Sequence, residues 1–343
     1  MVWDEGSNEP AGQHCRSLTH APRLLVYAAA APPPELARHE PGDFVTTTTV
    51  LDLIGNTPLI PLRRLCEPGM ASVLLKMEAW NPSGSLKDRV VKYIIEDAER
   101  AGVLEPHHII IDASSGNTGI ALGMIAGLKG YRSRIYMPET KSVERRKIMR
   151  VWGTEIVLTG GSDQNSHIWA VQEAARDTST FFYLNQNGNE GNVLSHYHGT
   201  GAELYAETNG ALDCFVAGAG TGGTLMGVAK YLRDRGCSAR IVSVEPDNPH
   251  SKIEGLLHFD GSFVPPIWDA SLVSEQLRVS DELAFATARR LAREEGIFCG
   301  PSTGAILAVA LDKARQLGEG RTVVTVACDR GERYLSTRLV PEE

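Results

Sequence analysis

From about residue 72, short apolar runs alternate with longer segments whose apolar residues recur every three to four positions. The runs at 73–77, 108–112, 134–137, 155–158, 214–217, 240–244 and 322–327 suit buried strands. The segments at 86–101, 118–128, 143–151, 165–176, 193–208, 224–233, 281–295 and 303–317 carry helical periodicity. Near-continuous apolar strands separated by amphipathic helices predict an α/β fold: mainly parallel, twisted sheets flanked by helices. Residues 246–278 break the rhythm with Pro, Gly and polar side chains, which predicts a functional loop. Residues 1–44 differ again, with Pro32-Pro33-Pro34, scattered charges and one short apolar stretch, Leu24-Leu25-Val26-Tyr27. Such a segment is expected to be a disordered or loosely docked arm. A transit peptide is the alternative, but Asp4, Glu5, Glu9, Glu35, Glu40 and Asp43 oppose it, because such peptides are acid-poor.

Composition narrows the function classes. The 343 residues are 42% hydrophobic, enough for one large core or two smaller ones. A formal net charge of −8 disfavours nucleic acid and anionic membranes as partners. No apolar run reaches the length of a membrane span, and the N-terminus lacks the basic-then-apolar order of a secretory signal. Among the six cysteines there is no CxxC pair and no His cluster at zinc spacing, so no metal site is expected. Cys214, Cys299 and Cys328 lie in apolar runs and read as reduced core residues, which points to a cytoplasmic protein.

Candidate chemistry concentrates where strands run into helices. Gly218-Ala219-Gly220-Thr221-Gly222-Gly223-Thr224 follows one strand and opens a helix. Glycines let backbone N–H groups turn around an anion, the helix N-terminus adds positive potential, and Thr221 and Thr224 add hydroxyls. A phosphate monoester suits this loop. A dinucleotide site is the rival, with Glu245 as a ribose-binding acid, although the glycine spacing departs from Gly-x-Gly-x-x-Gly. A purely structural turn is the third reading.

Asn81-Pro82-Ser83-Gly84-Ser85-Leu86-Lys87 is a turn entering a helix that Ser85 could cap. Lys87 falls in the first helical turn, where the dipole disfavours a cation and lowers the amine pKa, as a Schiff-base lysine needs. Ser114-Ser115-Gly116-Asn117-Thr118-Gly119 is a second anion-ready terminus, sized for a carboxylate, or else simply a well-capped helix. Ser302 precedes the helix at 303–317 and reads in isolation as an N-cap.

Taken in register, these motifs resemble the cysteine synthase and cystathionine β-synthase family, the fold type II pyridoxal-5′-phosphate (PLP) enzymes. The resemblance runs from Ile54-Gly55-Asn56-Thr57-Pro58-Leu59 through Met137-Pro138-Glu139-Thr140 to Gly331-Glu332-Arg333-Tyr334-Leu335-Ser336-Thr337. It implies PLP as cofactor, bound by Lys87 as a Schiff base. Asn117 would meet the ring hydroxyl, Ser302 the pyridine nitrogen, and Gly220, Thr221, Gly222, Gly223 and Thr224 the phosphate. Ser114, Ser115, Gly116, Thr118 and Gln186 would hold the substrate α-carboxylate.

The implied reaction is β-replacement on an activated L-serine, O-acetylserine or O-phosphoserine, through an aminoacrylate, with cysteine synthase as the leading activity. A small nucleophile is the second substrate and a homodimer is the implied assembly. The resemblance further implies a small mobile domain at 81–189, a large cofactor-binding domain from 45–80 plus 190–338, and a tail at 339–343. A dinucleotide-dependent oxidoreductase is the remote alternative and leaves Lys87 without a role.

One segment departs from the family pattern. Cysteine synthases usually read Gln-Phe-x-Asn-Pro where this chain has Gln186-Asn187-Gly188-Asn189-Glu190, and Ala202-Glu203 stands in place of Pro-Glu. A more polar pocket wall beside Gln186 leaves open an amine or a larger polar thiol as nucleophile. His196, His198 and Lys252 are candidates to meet extra negative charge, with solvent-exposed surface residues as the alternative.

Overall fold

Three of the strands were not foreseen, and all three lie at sheet edges. The computed structural model describes residues 49–114, 116–140, 142–160, 166–260 and 263–341. The expected arm at 1–44, Ser115 and the end of the tail lie outside these residues. In chain order the elements are β1 (Leu59–Pro61), β2 (Ser72–Lys76), α1 (Lys87–Arg100), β3 (Ile109–Ala113), α2 (Asn117–Lys129), β4 (Arg132–Pro138), α3 (Val143–Val151), β5 (Glu155–Thr159), α4 (Ser166–Ala174) and β6 (Phe181–Tyr183). There follow α5 (Gly191–His196), α6 (Ala202–Glu207), β7 (Cys214–Gly218), α7 (Gly223–Asp234), β8 (Arg240–Pro246), β9 (Glu275–Val279), α8 (Asp281–Glu295), α9 (Pro301–Leu317) and β10 (Thr322–Val326).

The strands form two sheets. One has the order β1-β2-β10-β7-β8-β9 and is parallel except for the antiparallel β1–β2 pair. The other, β5-β4-β3-β6, is parallel throughout. Both sheets belong to one unit, Phe44–Glu343. Parallel strands covered by helices on both faces must be apolar on both sides. Central strands obey this: Cys214, Phe215 and Val216 of β7 and Ile110 and Ile111 of β3 are fully buried. Edge strands need not obey it. In β9 the side chains of Gln276 and Arg278 are exposed, so its sequence does not stand out from the irregular 246–278 region. Pro61 ends β1, and β6 is only three aromatic residues long.

The helix expected at 193–208 is three pieces. A single π-turn at Tyr197–Gly201 joins α5 to α6. Such turns insert a residue and re-aim side chains locally.

A buried charge network fixes the start of α1. The Arg89 guanidinium makes paired bonds to Glu78, 2.7 and 2.8 Å, and to Glu203, 2.6 and 2.7 Å. Lys76 bonds Glu203 at 2.9 Å and the Thr57 carbonyl at 2.6 Å. Burial alone would raise the Glu203 carboxyl, but Arg89 and Lys76 outweigh it and bring it down to about 2. The Ala202-Glu203 departure therefore leaves the acid engaged. Arg89 lies two residues beyond Lys87, so this network ties the lysine's helix to β2, α6 and the Gly55–Thr57 turn.

Candidate active site

The loops that follow β2, β3, β7 and β10 converge beyond the carboxyl ends of these parallel strands, the usual position of a ligand crevice in open α/β sheets. The β2–α1 turn delivers Lys87. Ser85 Oγ accepts from the Lys87 backbone N–H at 3.3 Å. Lys87 Nζ reaches across the cleft to Thr221 Oγ1, 3.1 Å away, in the glycine loop between β7 and α7. Desolvation lowers the Lys87 amine to about 8, against weaker opposing pulls from Cys328 and Asp112. A lysine brought to that value is a mixture of ammonium and amine near neutral pH, as carbonyl chemistry requires.

The glycine loop has almost no space for side chains. A Cβ on Gly220 would lie 2.4 Å from the Gly255 carbonyl oxygen, and one on Gly223 only 1.8 Å from Asn192 Oδ1. Gly222 has φ of +90°, a left-handed conformation suited to glycine. Thr221 Oγ1 accepts from both Lys87 Nζ and Asn192 Nδ2, the latter at 2.9 Å, so its own proton is free for an anion in the cleft. Thr224 Oγ1 pairs with His196 Nε2 at 3.1 Å, and His196 Nδ1 pairs with Thr200 Oγ1 at 2.9 Å.

His196 is thus a fully buried partner of the loop, not a surface residue. Burial, reinforced by Arg89 and Lys87, holds it well below the usual imidazole range, so it stays neutral and cannot greet an anion as a cation. His198 is exposed and stacks on Tyr93, and Lys252 is exposed with its backbone N–H on Asp281; neither lines the cleft. Glu245 is fully buried in β8 and accepts from the Phe259 N–H at 3.1 Å. It does not line the cleft beside the glycine loop, which leaves the dinucleotide alternative without its ribose-binding acid.

The opposite wall is the β3–α2 turn. Ser114 Oγ accepts from the N–H groups of Gly116 and Gly119, each at 3.2 Å, and so organises the N-terminus of α2. Thr118 donates to Gln186 Oε1 at 2.5 Å, and Gln186 Nε2 donates to the Ala113 carbonyl at 3.3 Å. Gln186 is buried, and Asn187 beside it lines the same cleft. Ser302 also lines the cleft; α9 is capped by Gly300 and begins at Pro301, so Ser302 lies inside the first turn and is not the N-cap. The 246–278 loop contributes Glu254, Gly255, Leu256 and Leu257.

Several residues at the site escaped sequence reasoning. Asn192 bridges Thr221 and, at 2.7 Å, the Gln186 carbonyl. Asp112, at the end of β3, is buried and raised to about 7 by desolvation. Arg145 of α3 bonds Glu254 and lies 4.8 Å from the Tyr334 ring centre. Its residue type and place in a helix read only as a solvated face; nothing local signals a buried cation.

The residues present fit PLP. A depressed lysine amine stands 3.1 Å from Thr221 of a loop whose Gly220 and Gly223 have no room for a Cβ, and the N-terminus of α2 faces it across the cleft, an arrangement suited to a phosphate on one wall and a carboxylate on the other. The fold and this site define a fold type II PLP enzyme. The family model for pyridoxal-phosphate dependent enzymes matches residues 50–329, and the chain belongs to that family.

Cysteine synthase B of Salmonella typhimurium is 41% identical over 295 residues, covering 86% of this chain and 97% of that protein. A cysteine synthase of Staphylococcus aureus is 39% identical over 301 residues, covering 84% and 96%. Among solved structures, a cysteine synthase from Entamoeba histolytica has a TM-score of 0.82 at 34% identity, covering 90% of this chain and 95% of that one. An O-ureido-L-serine synthase has a TM-score of 0.80 at 40% identity, covering 86% and 95%.

Proposed function

We propose that this chain is a cysteine synthase-type transferase, replacing the β-substituent of O-acetylserine or O-phosphoserine with a small nucleophile, sulfide foremost. The observation that carries this reading is Lys87: its amine, lowered to about 8, lies 3.1 Å from Thr221 of the glycine loop and shares one cleft with the 114–118 turn. PLP, when bound, withdraws electron density from the substrate Cα and makes its proton removable.

The chain's own groups do the rest. Lys87 Nζ holds the cofactor and then moves the Cα proton. Gly220, Thr221, Gly222, Gly223 and Thr224 bind the phosphate through backbone N–H groups and hydroxyls. Ser114, Gly116 and Thr118 at the start of α2, with Gln186 bonded to Thr118, receive the substrate carboxylate, and Ser115, outside the described residues, belongs to the same assignment. Asn117 and Ser302, both lining the cleft, would hold the ring oxygen and the ring nitrogen. Ser302 would place a neutral hydroxyl at the ring nitrogen, which adds no negative charge to hold a proton there. Leu256, Leu257 and Tyr334 line the cleft and limit water there.

We assign residues 81–189 to a small domain that closes over substrate, and 45–80 with 190–338 to the cofactor-binding domain. A cytoplasmic homodimer is part of the same proposal. Among the described residues no helix is long and apolar enough to cross a membrane, and no His/Cys/Asp/Glu group is suited to a metal ion.

Borohydride reduction of the holoenzyme, followed by peptide mapping, tests the assignment. The pyridoxyl group is expected on Lys87; recovery on another lysine refutes it. Asn187 favours a second reading of the nucleophile. A polar carboxamide on the cleft wall wants a hydrogen-bond partner that sulfide serves poorly. With O-acetylserine, kcat/KM for thiosulfate or a small amine should then match or exceed that for sulfide. A strong sulfide preference that persists in Asn187→Phe eliminates this second reading.

A further inference from the structure

A carboxamide has two ends of nearly equal size and opposite hydrogen-bonding character. Asn117, the first residue of α2, lines the cleft between Lys87 and the 114–118 turn. Which end it offers to a ligand depends on what holds it from behind. In this chain both ends are held. Its Nδ2 donates to Asp329 Oδ2 at 2.7 Å, and its Oδ1 accepts from Arg333 Nη1. Asp329 is fully buried, and the same Oδ2 also accepts from the Tyr334 hydroxyl at 2.6 Å. An oxygen that already accepts two donors can face only the N–H end of the amide. Arg333 is buried too and donates to the Ser83 carbonyl at 2.6 Å, in the turn that leads to Lys87.

Turning the carboxamide over would set oxygen against the Asp329 oxygen and nitrogen against the guanidinium. Two charge-assisted bonds would become two repulsions, so one orientation is enforced. In that orientation Oδ1 is occupied by Arg333, and one N–H is occupied by Asp329. The second N–H of Nδ2 has no partner among the described residues. We infer that Asp329 and Arg333 are positioning residues that lock Asn117 with an N–H donor, and not its carbonyl, available to the ring oxygen of the cofactor. This rests on the PLP reading of the cleft and adds to it the device that sets the donor's sense. Neither residue lines the cleft. A fixed donor stabilises the ring oxygen as an anion, the form that absorbs in the visible.

The test is the absorption spectrum and cofactor dissociation constant of reconstituted holoprotein for wild type, Asn117→Ala, Asp329→Asn and Arg333→Gln. Asp329→Asn keeps the shape but offers either a donor or an acceptor, so the bias on Asn117 is lost. It should move intensity from the visible band toward the near ultraviolet in the same sense as Asn117→Ala, and weaken cofactor binding several-fold. Arg333→Gln, which frees Oδ1, should do likewise and carries the test if Asp329→Asn does not fold. A shift in Asn117→Ala with wild-type spectra and affinities in the other two overturns the lock. So does a wild-type spectrum in Asn117→Ala itself. A wild type that never develops a visible band with PLP defeats the cofactor reading instead, which separates the two failures.

Discussion

Gly220→Ala tests the proposal that the glycine loop closes around the cofactor phosphate. The added methyl would lie 2.4 Å from the Gly255 carbonyl oxygen, whereas a Cβ contact under 3.0 Å is essentially never seen. The loop must therefore move by at least 3.0 − 2.4 = 0.6 Å. The obstructing atom is backbone, so no side chain can rotate away. Overpacking of this kind costs about 1–3 kcal/mol. If that strain is relieved by moving the loop away from the phosphate, cofactor affinity should fall by about 5- to 150-fold, at ~1.4 kcal/mol for each factor of ten.

The assay is titration of apoprotein with PLP, followed by absorbance or by quenching of tryptophan fluorescence. Gly127→Ala is the control: it lies in α2, and its Cβ would make only an ordinary contact at 3.6 Å with the Trp152 carbonyl oxygen. That change should leave cofactor affinity untouched and stabilise the helix by about 0.5–1 kcal/mol. A Gly220→Ala protein that binds PLP within about twofold of wild type would refute the reasoning that this backbone is the cradle.

Arg89→Met removes the cation shared by Glu78 and Glu203, leaving the fully buried Glu78 with no cation and the partly buried Glu203 with Lys76 alone. A loss of about 3–5 kcal/mol is expected in denaturant unfolding, and a loss under about 1 kcal/mol would show that the network does not hold α1. Covalent attachment of PLP requires the neutral Lys87 amine. The attachment rate in stopped-flow reconstitution should therefore rise about tenfold per pH unit below a midpoint near pH 8 and level off above it; a midpoint near the ordinary lysine value would mean that burial does not tune the amine. Ser302→Asp should retain PLP while slowing turnover, since a carboxylate there raises protonation of the ring nitrogen. Unchanged kcat would return Ser302 to a structural role in the first turn of α9.

The legible parts of this protein are those whose physics is local. Inner strands such as β3 and β7 declare themselves because a strand covered on both faces must be apolar throughout. Edge strands such as β9 alternate with exposed polar residues and merge into the surrounding loop. Lys87, the glycine loop and the 114–118 turn could be singled out because each couples a turn to a helix N-terminus, a signal carried by adjacent residues.

The residues that escaped notice act across long sequence separations. Asn192 meets Thr221 across 29 residues when α5 packs on α7, and Asn117 meets Asp329 and Arg333 across more than 200 residues. His196, in a His-Tyr-His run, reads as polar surface; the π-turn at Tyr197–Gly201 and the approach of α7 bury it against Thr200 and Thr224. Buried polar groups of this kind are paid for by partners that no local pattern announces.

The central claim is that Lys87 and the two anion sites carry out β-replacement on an activated serine. Mass spectrometry of products formed by the PLP-loaded enzyme from O-acetylserine and sulfide, with Lys87→Ala run in parallel, tests it most directly. The account predicts cysteine and acetate in equal amounts from the wild type and no turnover from the variant. Pyruvate and ammonia in place of cysteine, no product with any activated serine and nucleophile, or undiminished cysteine from Lys87→Ala would contradict it.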